Sequence, residues 1–556
     1  MRTKTSREQE FLQVTDLGKV KRKRELYMVN LRKKCRSKRF NQRRFCRIEE
    51  NDNTQLLMSC LKSLGVYDMS TSDRFSEIIE ILKRSEDLEI VSKCITVFKL
   101  LAKEICEEEN YKDSDIRDFL VPIINYDCMK KYEFVLKSDC DLPQKIVALN
   151  LLSFVIRSLN NINKADVFEI ENTLVSVFIS LIPDEETVIT EDLAKFTQEI
   201  LDCLVDICYS TNNALCFHQS HILENLTELV KNLNNWKLRI ENSDRSESSH
   251  STHEDEDLVQ IQELLYELSV TLATKLPRDN DIEMVNFLKE IDLESAFLGK
   301  SPSESCGTHL LELACKLCEN DFFTEEILGI VPLSTIVKIC EDCNDKSLVK
   351  VHETLANILS HENTKYVEEA DSVTGGPSLL SIIKQDINTG DELYGSEGLY
   401  MLENALCSDK FYLKFLDDYE IIEILISIFK ESSSTPDCIV RLVCKIILDI
   451  FKKDYYECIK IFQEQGLNDM VLEKLDSNVS HKNILVLEYI LKIAHEIINR
   501  NDANSIIFTE QRGLELVSRI MDDFPVQDIQ DICMSCLECT SDPEGLDKHM
   551  DTLYGN

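Results

Sequence analysis

Two pairs of cysteines have a spacing that could hold a zinc ion. Cys315 and Cys318, followed by Cys340 and Cys343, form a Cys-x2-Cys-x21-Cys-x2-Cys arrangement, and a structural zinc site requires four such thiolates in a tetrahedron. The first pair lies within the apolar stretch 310–318, where a spacing of three places both side chains on one face of a helix. Such a stripe is typical of a packed core, so we expect no metal and no cofactor. The sequence has no phosphate-binding glycine loop, no His-Glu-x-x-His and no Gly-x-Ser-x-Gly, so no enzymatic activity is predicted.

The first 48 residues carry a charge opposite to that of the rest of the chain. They contain 17 Lys and Arg against four acids, whereas the remainder contains 45 Lys and Arg against 96 Asp and Glu, and the whole chain has a net charge of −38. No Pro or Gly follows Gly18 in this segment, so a helix is permitted from Glu25 to Gln42. Its basic residues would repel one another in an isolated helix, so we expect this basic arm to become ordered on an acidic partner.

The composition of the chain after this arm indicates helices. Only 14 Gly and 10 Pro occur in 556 residues, too few for the many turns of a β-rich protein. Stretches such as 145–156 carry apolar residues at spacings of three and four, as amphipathic helices do. No apolar run reaches the roughly 18–20 residues of a membrane span, and the N-terminus lacks an apolar signal core. We therefore expect a protein of the cytoplasm and nucleus whose 22 cysteines are reduced.

Long apolar helices recur at a regular interval between residues 51 and 540. Aligning one helix of each unit on its central apolar residue gives spacings of 55, 64, 45, 42, 47, 44 and 44, and the last five match the period of about 40–47 residues of armadillo and HEAT repeats. We predict an all-α fold, a right-handed armadillo-type helical solenoid of about nine to ten repeats. An acidic, Ser-rich insertion at 241–257 is expected to be a mobile loop. The aligned central residues are Leu149, Leu204, Leu268, Leu313, Leu355, Leu402, Ile446 and Ile490.

The basic arm contains three clusters in a fixed order, Lys21-Arg-Lys-Arg24, Leu31-Arg-Lys33 and Arg43-Arg44. Without a gap, this pattern resembles the importin-β-binding domain of the importin-α (karyopherin-α) family of nuclear-import adaptors, which place this domain before an armadillo solenoid. The resemblance implies that residues 1–50 dock on the acidic inner surface of importin-β. The residues expected to do so are Arg22, Arg24, Arg32, Lys33, Arg36, Arg39, Arg43 and Arg44 through ion pairs, and Leu31 and Phe40 through apolar contacts.

Members of this family bind basic localisation peptides with a Trp-x-x-x-Asn pair on each third helix, and this chain keeps little of that ladder. On the alignment above, only Asn357 and Asn404 occupy Asn positions, and no Trp position holds Trp; the single Trp236 lies elsewhere. We therefore expect the principal peptide groove to be lost and cargo recognition to be atypical. The expected cargo site is in the late repeats, where Glu353 and Tyr400 at the Trp positions accompany the two Asn residues. The negative charge of the solenoid would attract basic cargo.

The resemblance also implies a set of partners. These are importin-β, basic cargo proteins and, through the last repeats and the acidic tail 541–556, the export receptor that recycles importin-α; nuclear pore proteins would be met indirectly. No membrane and no direct nucleic-acid contact are expected. A different class stays open: an armadillo-repeat scaffold whose basic arm binds RNA, an anionic membrane or its own acidic body. Such binding would be sensitive to salt and would tolerate scrambling of the arm at constant charge.

Overall fold

The computed structural model describes most of the chain between residues 50 and 540. The basic arm, with every residue expected to contact importin-β, and the acidic tail 541–556 lie outside the described residues. The described part contains 25 α-helices and no β-strand, and none of its helices is long and apolar enough to cross a membrane. The chain divides into two compact units, Met1–Leu264 and Leu265–Asn556. Gaps in the described part fall at 69–70, 108–122, 124–125, 159–174, 176–178, 180–189, 211–220, 244–250, 274–280, 342–348, 362–363, 431–434, 454, 482–483, 501–507 and 509.

The described part of the first unit consists of helices. They are α1 (Glu50–Ser63), α2 (Thr71–Arg84), α3 (Leu88–Glu107), α4 (Tyr126–Lys137), α5 (Leu142–Ser158), α6 (Glu191–Ser210), α7 (Ile222–Ser243) and the first part of α8 (Ser251–Ala273). Helix α3 packs against α1, α2, α4 and α5, and α5 packs against α6. Helix α3 begins where the Asp87 carboxylate accepts a hydrogen bond from the Glu89 backbone N–H at 2.9 Å, a cap that satisfies one of the free donors of the first turn.

The insertion at 241–257 contains more helix than the sequence led us to expect. Residues 241–243 end α7 and residues 251–257 begin α8, so the expectation of a mobile loop is wrong at both ends of the segment. The physical reason lies in the acids Glu254 to Asp257, which fall in the first two turns of α8, where negative charge is favourable beside the positive end of the helix dipole. Residues 244–250 lie outside the described part.

The second unit is built from successive groups of three helices. The groups are α9 (Asp281–Glu290), α10 (Leu293–Phe297) and α11 (Glu304–Leu317); α12 (Asp321–Ile330), α13 (Leu333–Ile339) and α14 (Val349–Leu359); α15 (Lys365–Asp371), α16 (Leu379–Asn388) and α17 (Glu392–Ala405); α18 (Asp409–Asp417), α19 (Tyr419–Lys430) and α20 (Asp437–Lys452); α21 (Tyr456–Glu464), α22 (Leu467–His481) and α23 (Ile484–Arg500); and a final pair, α24 (Gly513–Asp523) and α25 (Gln527–Thr540). In every group the second helix packs against the third, and the third helices α11, α14, α17, α20, α23 and α25 pack against one another in chain order. The all-α, armadillo-type solenoid predicted from the sequence is confirmed.

Local sequence signals set the helix boundaries in this unit. The side chains of Ser303, Asp391 and Ser408 accept hydrogen bonds from the backbone N–H groups that open α11, α17 and α18, which is the usual role of an N-cap. Gly390, between α16 and α17, has a φ of +71°, a conformation that only Gly adopts without strain.

The central residues of the sequence alignment all lie in the core. Each of the eight has a relative exposure of 0%, as expected for the central apolar residue of a packed helix. They lie on α5, α6, α8, α11, α14, α17, α20 and α23, so in the second unit they mark the third helices. Stacking of the repeats therefore buries an apolar residue at the centre of each third helix.

Ion pairs join the first helices α12, α15 and α18 of three successive groups. In each pair the lysine lies on the later helix and the acid on the earlier one, so the pairs have a direction along the chain. The pairs are Lys365 with Glu325 at 3.2 Å, Lys410 with Glu368 at 2.5 Å, and Lys414 with Asp371.

Candidate functional site

The solvent-accessible side of α11, α14, α17, α20 and α23, which we call the third-helix face, holds the cargo residues predicted from the sequence. Glu353 and Asn357 lie on α14, and Tyr400 and Asn404 lie on α17. All four side chains are partly exposed, and α14 packs directly against α17. The structure therefore brings the four predicted residues to one surface of neighbouring repeats.

The two asparagines form hydrogen bonds between successive third helices. Asn357 Nδ2 donates to the backbone oxygen of Cys315 on α11 at 2.9 Å, and Asn404 Nδ2 donates to the backbone oxygen of Ala356 on α14 at 3.0 Å. Each amide thus uses one N–H to join its helix to the preceding repeat. The side-chain oxygens remain as acceptors for a ligand on the third-helix face.

Glu353 is neutralised by a lysine of its own helix. Its carboxylate pairs with the Lys350 ammonium, one turn earlier on α14. Burial alone would raise the pKa of Glu353, but the charge and hydrogen bond of Lys350 outweigh it and lower the pKa overall. The carboxylate is therefore ionised and already matched, so a lysine or arginine of a ligand would have to compete with Lys350 for it.

The same arrangement recurs on the later helices of the face. Glu403 on α17 pairs with Lys445 on α20 at 2.5 Å, and Glu488 on α23 pairs with Lys492 of the same helix at 2.5 Å. Burial raises the pKa of Glu403 despite the nearby lysine. These built-in lysines weaken the attraction for basic peptides that the net charge of the chain predicts.

Arg441 on α20 is a residue of this face that the sequence reasoning missed. It is only 8% exposed, and within the described residues its guanidinium takes part in no ion pair or hydrogen bond. Its nitrogens are not among the fully buried polar atoms that lack a partner. In the sequence, Arg441 could have been noticed as the single basic residue within the apolar run 438–444.

Tyr400 lies on α17, which packs against α20, the helix that carries Arg441. Burial raises the pKa of the Tyr400 hydroxyl, and the charge of Arg441 opposes this rise, so the two groups interact electrostatically. Within the described part of the chain the Tyr400 hydroxyl has no hydrogen-bond partner.

Three of the four cysteines of the possible zinc pattern pack in the core. Cys315, Cys318 and Cys340 are buried, as the helical spacing predicts, whereas residue 343 lies outside the described residues. Burial raises the pKa of the Cys318 thiol to about 12 and raises those of Cys315 and Cys340 well above the ordinary value. Because a thiolate is the form that binds metal or attacks a substrate, these thiols are unreactive at neutral pH.

Comparisons with known proteins support the fold alone. No protein-family model and no curated protein matches the sequence. A crystal structure of an engineered protein from the Northeast Structural Genomics Consortium is similar, with a TM-score of 0.56 and 14% identity over 84% of this chain and 98% of that chain. A second engineered protein from the same consortium has a TM-score of 0.36 and 16% identity over 45% of this chain and 96% of that chain. At these identities the first likeness defines the class by fold alone, a helical-repeat solenoid.

Proposed function

We propose that this chain is an adaptor for nuclear import, similar to importin-α, that docks on importin-β through its basic arm and carries its cargo on the third-helix face. The observation that carries the proposal is the ungapped, three-part cluster pattern of the arm at residues 21–44. The three-helix groups of the second unit supply the kind of body that follows this arm in the importin-α family. The function is one of binding, and we propose no catalytic step.

The proposed docking depends on charge geometry as well as on charge. Arginine binds carboxylates through two parallel hydrogen bonds, which fixes orientation in a way that a diffuse positive charge does not. Residues Arg32, Arg36, Arg39 and Arg43 recur at spacings of three and four, so in a helical arm they would share one side. The arm would then become ordered as it binds, and part of the interaction energy would offset the loss of conformational entropy.

Cargo recognition by the proposed adaptor would differ from that of the family. The acids Glu353, Glu403 and Glu488 are each paired with a lysine of the third-helix face, and the Trp ladder is absent from the sequence. A cargo would therefore be bound through the amide oxygens of Asn357 and Asn404 and through contacts that the built-in lysines permit. Basic segments would add long-range attraction to the acidic body.

A capture experiment with purified importin-β tests the proposal. The full chain should be retained at physiological salt, and the variant with Arg32→Glu and Lys33→Glu should not. The matched control exchanges the same charges outside the cluster pattern, Lys4→Glu with Arg7→Glu, and should be retained. In a second variant, residues 19–47 are scrambled at constant composition. Equal capture of the scrambled chain would overturn the proposal in favour of nonspecific binding by a basic scaffold.

A further inference from the structure

Cys407 and Lys453 place a thiol and an amine side by side on the surface of the second unit. Lys453 Nζ lies 3.5 Å from Cys407 Sγ and 3.4 Å from the backbone oxygen of Leu406. Both residues are exposed, so a reagent in solution can reach either group. A sulfur nucleophile and a nitrogen nucleophile in contact with each other can act on one reagent in two successive steps.

The fold holds the two groups in this contact. Cys407 lies between Leu406, the C-cap of α17, and Ser408, whose side chain caps the first turn of α18. Lys453 is the C-cap of α20, where its backbone N–H donates to oxygens of the last turn. The two residues are 46 positions apart in the sequence, and the packing of α17 against α20 brings them together. The contact is therefore a product of the repeat stacking.

Lys453 differs from its neighbour Lys445 in what surrounds the amine. Lys445 is paired with the Glu403 carboxylate, whereas within the described residues no carboxylate lies at ion-pair distance from Lys453. The other group near Lys453 Nζ is the Tyr455 ring, whose centroid is 6.0 Å away. No carboxylate of the described part therefore competes with the sulfur for this amine.

We infer that Cys407 and Lys453 form a modification site at which an acyl group passes from an acyl-CoA thioester to the lysine by way of the cysteine. First, the Cys407 thiolate attacks the acyl carbonyl carbon, the bond from this carbon to the CoA sulfur breaks, and CoA takes up the proton that the thiol gave up. Next, the uncharged amine of Lys453 attacks the same carbon, the bond to Cys407 Sγ breaks, and a proton of the amine passes to the sulfur. The products are an amide on Lys453, free CoA and the original thiol, so no oxidant or reductant is needed.

Each of the two groups supplies what the other lacks. A thiol is partly ionised at neutral pH and is a strong nucleophile, but the thioester that it forms remains reactive. A lysine in solution is almost fully protonated at neutral pH, so it attacks a free thioester slowly. Once the acyl group is on Cys407, the amine is beside it, and a reaction between neighbouring groups gains a high effective concentration. The greater stability of the amide then makes Lys453 the final position of the acyl group.

The test incubates the full chain with acetyl-CoA at neutral pH and measures acetylation of single lysines by peptide mass spectrometry. Lys452 is the internal reference, because it is an exposed neighbour on the same helix without a contact to a cysteine among the described residues. We expect Lys453 to be acetylated at least about tenfold faster than Lys452. Cys407→Ser should reduce the rate at Lys453 to that of Lys452 and leave Lys452 unchanged.

Two further variants separate transfer through Cys407 from other causes. Cys438→Ser removes another partly exposed thiol of the same unit and should leave the rate at Lys453 unchanged. Lys453→Arg should stop the reaction at the first step, so that an acetyl group that hydroxylamine removes accumulates on Cys407. Circular dichroism should show that all three variants are folded. The inference is overturned if Lys453 and Lys452 react equally fast in the unaltered chain, or if Cys407→Ser leaves the rate at Lys453 unchanged.

Discussion

Asn357 Nδ2 lies 2.9 Å from the backbone oxygen of Cys315, forty-two residues earlier in the chain. The Cys315 carbonyl belongs to the last turn of α11, where backbone oxygens lack a partner within the helix. No other hydrogen bond to this oxygen is present among the described residues. The amide of one repeat therefore completes the helix end of the repeat before it, and this bond ties the two third helices together.

Asn357→Ala should destabilise the chain by about 1–3 kcal/mol, because it leaves the Cys315 carbonyl without a partner. Asn404→Ala should cost less, since its acceptor, the Ala356 oxygen, also receives a hydrogen bond from the Ser360 N–H at 3.1 Å. Urea denaturation followed by circular dichroism measures both variants. Equal losses in the two variants would contradict the assignment of Asn357 as the sole partner of this oxygen.

The period of the fold could be predicted from the sequence because burial imposes it. Leu355 and Ile446, for example, are fully buried, and an apolar residue that recurs every 42–47 positions leaves a visible pattern. The direction in which Asn357 donates could not be predicted, since its partner is a backbone oxygen and backbone atoms leave no trace in the sequence.

The charge pattern of the candidate site was predictable only in part. Lys350 and Glu353 are three residues apart on one helix, a spacing that by itself predicts an ion pair. Lys445 and Glu403 pair across 42 residues, which requires the relative rotation of two packed helices. The isolation of Arg441 depends on the same rotation, so sequence spacing alone could not reveal it.

His352 and Asp386 form a buried pair that joins two repeats. His352 Nδ1 lies 2.7 Å from an Asp386 carboxylate oxygen, and both side chains are 0% exposed. His352→Phe should destabilise the chain by about 1–3 kcal/mol, because it leaves the buried Asp386 side chain without its hydrogen-bond partner. Adding Asp386→Leu should recover part of this loss, since the unpaired carboxylate is then gone. A double variant no more stable than the single one in thermal unfolding would contradict this account.

Thiol labelling should separate the cysteines by burial. Cys407 is exposed and should react quickly with a chromogenic disulfide at neutral pH, whereas Cys318, whose pKa burial raises to about 12, should react only after unfolding. A metal chelator should change neither the labelling pattern nor the melting temperature. Faster labelling of Cys318 or a lower melting temperature with chelator would indicate a structural metal ion.

Replacing Lys350 and Lys445 should raise the affinity of the third-helix face for basic peptides. Lys350→Met with Lys445→Met frees the carboxylates of Glu353 and Glu403, and a Lys- and Arg-rich peptide should bind about two- to fivefold more tightly, the range of one partly exposed ion pair. The control replaces two exposed lysines, Lys430→Met with Lys452→Met, removes the same charge and should have a smaller effect. Fluorescence anisotropy at two salt concentrations measures the difference, and equal gains in both variants would mean that only net charge matters.

Deleting residues 1–48 should change peptide affinity by less than about twofold. In the importin-α family the second basic cluster of the arm occupies the cargo groove, but here Gln42 precedes the Arg43-Arg44 pair where a Lys is usual. The acids of the third-helix face are also already paired with lysines. Isothermal titration of the full and shortened chains with one peptide measures the two affinities. A large gain in affinity on deletion would show that the arm competes with the peptide for the third-helix face.

The ion pairs between first helices have a consequence for how the length of such an array can change. Helix α15 offers an acid to the first helix that follows and a lysine to the first helix that precedes, since Glu368 pairs with Lys410 and Lys365 pairs with Glu325. If the group α15 to α17 were excised, Lys410 would face Glu325, and opposite charges would still meet at the new junction. Gene duplication or deletion of this whole repeat would therefore preserve the match, whereas inserting it in the inverted direction would set like charges against each other.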